Sequence, residues 1–538
     1  MKIYSSMVRI KKEDTISERD TAIYGDLLKL VAAGKSDTFG YVNIKKKMHP
    51  AFKEIVIEYR NKIAEKGRHD SFIATDTPEN IEVVHSHFSN PKWIDHFTAR
   101  FIPEHLVNVD CDFYLWDGKV GVCSFENNKI KTTVLDNPTV YQLYKQFFDV
   151  IWNVALEEPL FFGPRTSKET ALERELYTNP GDIVNLTASY PSGINPNWIE
   201  SYRKSIASKF IKMDNNKLIN NIKGFFSNVF KTDNIKLIQT ATYALLIAID
   251  YAIITPGDEV IMFEPGYDAY PNIIRSLGGN VIYAKRHKDF TPDIEDLQKK
   301  ITNRTVAVVL TIPENPLGKI HGQKTIEEIA KLCDGKRLLI LDCVFAQITP
   351  FKINVPMLTR LKLPHKPSYM IIGDTGKILG LDGSKFGCIA YSKDIEDRLQ
   401  HRIDNMFFQL NKYDLCLLSS VLTDKRFISY LKHLNDIVAE NYNYIKANID
   451  PEVSLHPLEG SSVCMLDVSK TGMNDLEFAE NLRNFYKVAV IPVSYYYNFE
   501  APGIHDNVRV ALARPPKDII KAVAAINKLL EHSGKVDK

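Results

Sequence analysis

Beyond about residue 180 the chain alternates between short apolar runs and longer amphipathic stretches. Runs such as Glu259–Phe263 and Thr305–Thr311 are apolar and rich in β-branched residues, which is typical of buried strands. Between the runs lie segments with helical spacing, including Tyr243–Ile254 and Pro292–Ile301. The alternation continues through a helix at Thr325–Cys333 and strands at Arg337–Leu341, Tyr369–Ile372 and Cys388–Tyr391. This order predicts an α/β fold with a parallel sheet covered on both faces.

The pattern changes again after the last of these strands. Helical spacing extends from Asp394 to about Ile449, and the remainder of the chain alternates strand, helix, strand and helix. We therefore predict a large domain over residues 180–400 and a smaller α+β domain over residues 401–538. Residues 165–200 are expected to contribute to the small domain.

Before residue 160 the chain has a different, mixed character. A helical stretch, Met48–Lys66, is opened by Pro50, and Thr139–Ala155 places aromatic and aliphatic residues at helical spacing. Cys111–Trp116 and Lys119–Cys123 flank an Asp-Gly pair, which is the composition of a two-residue hairpin turn. Residues 1–160 are thus predicted to form an N-terminal α+β extension.

Prolines and a glycine between Glu157 and Pro164 predict a linker from this extension to the rest of the chain.

The role of the extension has two interpretations. The extension is either an appendage that packs or builds an oligomer interface, or a sensor. The second interpretation comes from its strand-turn-strand-helix pattern, which resembles ligand-sensing domains of some bacterial transcription regulators.

Composition narrows the classes of partner. The 538 residues contain 68 Lys+Arg and 66 Asp+Glu, so the formal net charge is only +2. The chain therefore lacks the excess of basic residues that is typical of nucleic-acid-binding proteins. No stretch of 18 apolar residues is present, and the first residues lack the apolar core of a signal peptide. We expect a cytoplasmic protein without membrane or nucleic-acid partners. The seven cysteines are scattered without metal-ligand spacing, so no metal site is predicted.

Side chains that could bind a ligand or take part in catalysis follow the predicted strands, at the edge where parallel sheets bind their ligands. Gln239-Thr240-Ala241-Thr242 opens a helix and suits a phosphate group. Tyr267, Asn315, Asp342 and Lys377 follow successive strands. An aromatic ring, an amide, a carboxylate and an amine in this order describe a site for pyridoxal 5'-phosphate. We expect the buried carboxylate of Asp342 to have a cationic partner.

Five motifs carry a resemblance to a known family. They are Pro256-Gly257-Asp258-Glu259-Val260, Asn315-Pro316-Leu317-Gly318, Asp342-Cys343-Val344-Phe345, Asp374-Thr375-Gly376-Lys377 and Gly383-Ser384-Lys385-Phe386-Gly387. In this order they resemble the fold-type-I aminotransferases of class I and II, over residues 180 to 530. The resemblance implies a large domain with a mixed, mostly parallel sheet, and a homodimer or higher homo-oligomer.

The resemblance also assigns roles to individual residues. It implies that Lys377 forms a Schiff base with pyridoxal phosphate and later moves the Cα proton of the substrate, while Asp342 lies against the ring nitrogen. Arg509 is implied to grip the substrate carboxylate. The remaining implied cofactor contacts are Tyr267 on the ring, Asn315 on the phenolic oxygen, and Ala241, Thr242 and Lys385 at the phosphate.

The motifs depart from the usual family pattern at four positions. Phe345 stands in place of a tyrosine, Asp374 and Gly376 in place of serines, and Lys385 in place of an arginine. The variant Asp-Thr-Gly-Lys sequence is similar to a subgroup that includes capreomycidine synthase and arginine-oxidising or hydroxylating enzymes.

Three functions follow from these patterns. The first is transamination between an amino acid and a 2-oxo acid. The second is oxidation, deamination or cyclisation of a cationic or polar amino acid by the same cofactor. The third is an aminotransferase-like sensor or regulator.

Overall fold

The computed structural model divides the chain into two compact units. The described residues are 16–44, 49–75, 77, 80, 84, 92–93, 96–103, 107, 109–126, 129–155, 168–178, 181–206, 212–333, 335–356, 367–381, 383–406, 409–497 and 505–533. The first unit comprises Met1–Pro164 with two short later segments, and the second comprises most of the chain from Arg165. Met48 and the predicted linker lie outside the described residues.

The first unit contains a six-stranded sheet. Its strands, in spatial order, are Phe97–Ile102, Asp70–Thr75, Thr38–Tyr41, Cys111–Trp116, Lys119–Glu126 and Lys129–Asp136. The first three strands pair in parallel and the others antiparallel. The predicted hairpin is confirmed, and both turn residues, Asp117 and Gly118, have positive φ angles of 45° and 75°. This is the conformation that an Asp-Gly pair favours in a two-residue turn.

Helices cover both faces of this sheet. They are Glu18–Ala33, Lys53–Glu65 after a 3-10 turn at Pro50–Phe52, and Pro138–Val154. Neighbouring residues of one strand, Tyr114 and Leu115, belong to different core clusters, because successive side chains of a strand point to opposite faces. Phe148 of the last helix lies in the same cluster as Leu115. The extension is therefore the predicted α+β unit with its own core.

The second unit contains a seven-stranded mixed sheet. Its strands, in spatial order, are Asn280–Ala284, Glu259–Phe263, Thr305–Thr311, Leu338–Asp342, Tyr369–Asp374, Gly387–Tyr391 and Ile235–Ile238. The pairs from Glu259–Phe263 to Tyr369–Asp374 are parallel, and Gly387–Tyr391 is antiparallel to both its neighbours. This arrangement confirms the mixed, mostly parallel sheet that the resemblance implies, and it corrects the parallel sheet that the alternation alone predicts.

Helices surround this sheet and lead into the C-terminal region. They are Asn197–Ile206, Asn215–Phe230, Ala241–Ala252, Ala269–Ser276, Ile294–Lys300, Gln323–Cys333, Gly376–Leu379, Glu396–Met406, Lys412–Leu422 and Phe427–Asn448. The helix predicted from Tyr243 begins two residues earlier, at Ala241, because the hydroxyl of Thr240 caps it by accepting from the Tyr243 amide at 3.1 Å.

A smaller antiparallel sheet lies near the C-terminus. Its strands, in spatial order, are Ser454–Leu455, Val463–Asp467, Asn507–Ala511 and Ile491–Pro492. The remaining helices of the unit are Lys168–Thr178, Asp475–Tyr486 and Pro516–Ser533. A separate parallel pair joins Val184–Asn185 to Val488–Ala489. Among the described residues, no helix has the length and apolar character needed to span a bilayer.

Candidate active site

The carboxyl ends of the central strands bring the predicted residues to one edge of the sheet. In the parallel register Thr311 lies opposite Asp342, and Asp342 lies opposite Ile372. The loop with Asn315 follows the first of these strands, and Lys377 follows the last. The candidate residues therefore come together for the reason predicted, since parallel strands end at a common edge.

Lys377 lies in the short helix Gly376–Leu379 directly after its strand. Its Nζ atom donates a 2.7 Å hydrogen bond to Oγ of Ser189 and lies 5.4 Å from the centre of the Phe345 ring. Ser189 is in turn fixed through its backbone oxygen, which accepts from Ser462 at 2.6 Å. The amine is thus held in a defined position by a residue that the sequence analysis missed.

Asp342 is a buried carboxylate at the end of its strand. Its Oδ2 atom accepts a 2.6 Å hydrogen bond from the hydroxyl of Tyr270, and its Oδ1 atom accepts from the Val344 amide at 3.2 Å. Burial raises the pKa of Asp342 to about 6, although these hydrogen bonds and the charge of Lys377 lower it. The side chain that bonds Asp342 directly is thus a neutral tyrosine, and the expected cationic partner stays a prediction.

Tyr270 is the second residue that sequence analysis missed. Its hydroxyl lies 3.0 Å from Oγ1 of Thr311 as well as contacting Asp342. Its ring packs edge-on against Tyr267, with centroids 5.5 Å apart. Tyr267 lies in the turn just before the helix Ala269–Ser276, and the Tyr270 amide donates to its backbone oxygen at 3.3 Å. The three-residue spacing between the two tyrosines was the available signal.

Substitution Y270F tests this hydrogen bond. Without the hydroxyl donor the charged carboxylate loses stabilisation, so the pKa of Asp342 should rise further, by about one unit. The affinity of the apoprotein for pyridoxal phosphate, measured by absorbance titration from pH 5 to 8, should increase as the pH rises. The midpoint of this increase should lie near pH 6 in wild type and at a higher pH in Y270F. Y267F is the matched control. An unchanged midpoint in Y270F would contradict the role of Tyr270.

Arg509 lies in the strand Asn507–Ala511 and is fully buried. Its Nη1 atom donates to Oδ1 of Asn315 at 2.9 Å, so the predicted carboxylate-binding residue touches the predicted phenolic-oxygen residue. Its Nη2 atom donates to the backbone oxygen of Thr187. Thr187 and Ser189 belong to one short segment, which therefore contacts both Arg509 and Lys377.

Two glutamates of the helix Lys168–Thr178 also reach Arg509. Nη1 lies 2.5 Å from Oε1 of Glu169, and Nη2 lies 3.5 Å from Oε1 of Glu173. Burial disfavours the charged guanidinium, but these carboxylates and Tyr496 outweigh it and raise the pKa of Arg509 above its ordinary value. The sequence analysis missed both glutamates; their four-residue spacing on one helix face was the only local signal.

The predicted phosphate turn lies at the start of the helix Ala241–Ala252. Thr240, not Thr242, supplies the capping hydroxyl, and the Thr242 side chain is exposed. A Cβ atom added at Gly387 would lie 2.4 Å from the Thr240 carbonyl carbon and 2.5 Å from the Ala241 amide nitrogen. Gly387 also pairs with Asp374 across the sheet. The helix start therefore packs directly against Gly387, in the strand that follows Lys377 and pairs with the strand that precedes it.

A cavity of about 270 Å³ opens beside Lys377. Asp374, Lys377 and Lys385 line it, together with Tyr177, Tyr190 and several small residues. Burial raises the pKa of Asp374, while the charges of Lys377 and Lys385 lower it. A Cβ atom at Gly376 would lie 2.9 Å from Cδ of Lys385, so the missing side chain at 376 makes room for this lysine. The three residues that differ from the usual family pattern here, Asp374, Gly376 and Lys385, thus lie together beside the same cavity.

Comparison with known proteins gives the family. The sequence model of the family "Aminotransferase class I and II" matches residues 182–526. The chain belongs to this family. Pyridoxal phosphate is the cofactor of these enzymes, and the chain is accordingly a pyridoxal-phosphate-dependent aminotransferase.

Similar proteins cover different parts of this aminotransferase. A probable aspartate/prephenate aminotransferase from Aquifex aeolicus is 24% identical over 408 residues, covering 67% of this chain and 94% of the relative. An aspartate aminotransferase from Sulfolobus acidocaldarius is 24% identical over 252 residues, covering 44% of this chain but 61% of its own length.

Solved structures agree with the fold of this aminotransferase. N-succinyldiaminopimelate aminotransferase from Mycobacterium tuberculosis superposes with a TM-score of 0.61 at 18% identity. That match covers 68% of this chain and 98% of the other. The predicted fold-type-I architecture is confirmed.

The residues of this aminotransferase fit its cofactor. Asp342 is a buried carboxylate with neutral hydrogen-bond donors, which leaves its charge available for a protonated ring nitrogen. The amine of Lys377 and the cationic Lys385 line a common cavity. The close approach at Gly387 places the helix amides beside that region. The narrower similarity to capreomycidine synthase stays a prediction.

Proposed function

We propose that Lys377, Asp342 and Arg509 are the three principal groups in the transfer of an amino group from an amino acid to a 2-oxo acid. The observation that carries this assignment is the segment Thr187–Ser189, which contacts Arg509 at one end and Lys377 at the other. A carboxylate held by the guanidinium would thus place its neighbouring Cα within the region of the amine.

Each group has a distinct task in this proposal. Arg509 binds the substrate α-carboxylate through parallel N–H donors, which orients Cα. The Nζ atom of Lys377 accepts the Cα proton and returns a proton to the product, with Ser189 fixing the position of the amine. Bound pyridoxal phosphate supplies an electron sink for this proton transfer. Asp342 maintains positive charge on the cofactor ring, and Asn315 and Tyr267 position that ring.

A half-reaction measurement tests the proposed function. Holoenzyme mixed with single amino acids, without any acceptor, should convert the cofactor to its amine form and release one 2-oxo acid per active site. Addition of a 2-oxo acid should restore the starting absorbance. An oxidase from the same scaffold would instead consume dioxygen in continuing turnover. Dioxygen consumption without accumulation of the amine form would replace transamination by the oxidase alternative.

We propose a homodimer on the basis of the family resemblance. Light scattering after size-exclusion chromatography should give twice the 61.3 kDa mass of one chain. A mass equal to one chain, in an enzyme that remains active, would exclude a site shared between subunits.

A further inference from the structure

The guanidinium of Arg509 is already bound by the chain itself. Nη1 contacts Oε1 of Glu169 and Oδ1 of Asn315, and Nη2 contacts the Thr187 oxygen and lies 3.5 Å from Oε1 of Glu173. A substrate carboxylate needs two adjacent N–H donors of this group. Those donors cannot serve a substrate while Glu169 keeps its present position.

The helix Lys168–Thr178, named here the Glu169 helix, delivers this carboxylate. Oδ2 of Asp268 accepts from the Glu169 amide at 3.2 Å and anchors the start of the helix beside Tyr267. Leu176 is buried, and Leu172 packs against the cluster that contains Tyr496. Glu169 therefore enters the site on a docked helix, with only 4% of its side chain exposed.

The contact leaves several buried polar atoms unsatisfied. Oε2 of Glu169, Nε of Arg509 and the hydroxyl of Tyr496 have no hydrogen-bond partner among the described residues. A buried polar atom without a partner costs free energy, so Glu169 satisfies the site only in part. Burial and the nearby carboxylate of Glu169 both raise the pKa of Glu173, so the two acidic side chains disfavour each other's charge beside Arg509.

We propose that Glu169 is an internal ligand of Arg509 that competes with the substrate carboxylate, and that the Glu169 helix releases the guanidinium when substrate binds. This inference rests on the proposed role of Arg509. A bidentate carboxylate that reaches both nitrogens satisfies the guanidinium better than Glu169, which bonds through one oxygen. The exchange requires only movement of the helix, with no covalent change in the protein.

Competition has a measurable signature in affinity. When a competing contact fills the site for nine-tenths of the time, the apparent affinity for a ligand falls about tenfold. Maleate, a dicarboxylate without an amino group, is the probe. Its dissociation constant for holoenzyme, measured by calorimetry, should decrease about tenfold in E169Q and at least as much in E169A.

A control on the same helix separates competition from loss of helix stability. Glu175 forms an ion pair with Arg483 away from Arg509, so E175Q should bind maleate as wild type does. Unchanged or weaker binding of maleate by a folded E169Q would overturn the competition. R509Q tests the proposed role of Arg509 separately from the competition by Glu169. If R509Q binds maleate as tightly as wild type, Arg509 is not the carboxylate site. If R509Q loses maleate while E169Q shows no gain, only the competition is wrong.

Limited proteolysis of the wild-type chain gives a second readout that needs no variant at Glu169. Arg174 is exposed in the middle of the Glu169 helix, and trypsin cuts a helix only when it opens locally. Saturating maleate should accelerate cleavage after Arg174 several-fold. Slower or unchanged cleavage, with maleate bound, would show that the helix stays docked on Arg509 and would refute its release.

Discussion

Replacement of Lys377 by alanine should reduce the turnover number for transamination by about 10⁴-fold or more. In the proposed mechanism, Lys377 supplies both the amine that bonds to the cofactor and the base that moves the Cα proton. General acid–base catalysis alone contributes up to about 10⁴-fold. The loss should appear in kcat, while binding of maleate, which depends on Arg509, should change little. Stopped-flow measurement of the half-reaction gives the rate directly.

The second lysine of the same cavity provides the matched control. Lys385 lines the cavity with Lys377 but has no assigned covalent role. Borohydride reduction of the holoenzyme, followed by peptide mass spectrometry, should attach the cofactor to residue 377 in wild type and in K385A. K385A should chiefly weaken cofactor affinity, because it removes a cation from the predicted phosphate region. A label on Lys385 in wild type would reverse these two assignments.

Replacement of Asp342 by asparagine should have opposite effects on catalysis and on apoprotein stability. The variant cannot maintain charge on the cofactor ring, and loss of one such preorganised electrostatic contact costs about 10²–10³-fold in kcat. The apoprotein of the variant, in contrast, no longer contains the buried carboxylate charge of residue 342. The introduced amide keeps one oxygen, which can accept from Tyr270, but it leaves the Val344 amide without this acceptor.

The stability effect of D342N depends on pH with a defined sign. Burial raises the pKa of Asp342 from 3.8 to about 6, so the folded chain binds this proton more tightly than the unfolded chain. Wild-type apoprotein therefore loses stability as the pH rises from about 4 to about 6. The free energy of unfolding of D342N relative to wild type should increase by about 1–2 kcal/mol between pH 5 and 7.5. Urea denaturation of both apoproteins measures it, and a difference independent of pH would contradict the assigned titration.

The central fold could be predicted because its strands are buried on both faces. The runs Glu259–Phe263 and Thr305–Thr311 are apolar at almost every position, and parallel strands of this kind need long crossover connections, which are usually helical. Helix boundaries were less accurate. Thr240 shows why: its hydroxyl caps the helix, but threonines at 240 and 242 are equivalent until the backbone places one at the first turn.

The candidate site was predictable where one residue follows one strand. Asp342 and Lys377 satisfy this condition, and the structure places both at the common edge. Ser189 and Glu169 do not, because their partners lie far away in the chain and no local pattern specifies such contacts. Tyr270 was missed for another reason: a phenol can satisfy a buried carboxylate, so the carboxylate alone does not specify which side chain bonds it.

The pairing of Val184–Asn185 with Val488–Ala489 affects how a new molecule matures on the ribosome. The first strand of this pair can form its hydrogen bonds only after about 300 further residues have been translated, which takes about 15–60 s at ordinary rates of translation. The backbone oxygen of Leu186 obtains its hydrogen bond later still, because it accepts from the Ala511 amide at 2.8 Å. The segment that contacts both Lys377 and Arg509 is therefore held in place on both sides only after Ala511 has been translated.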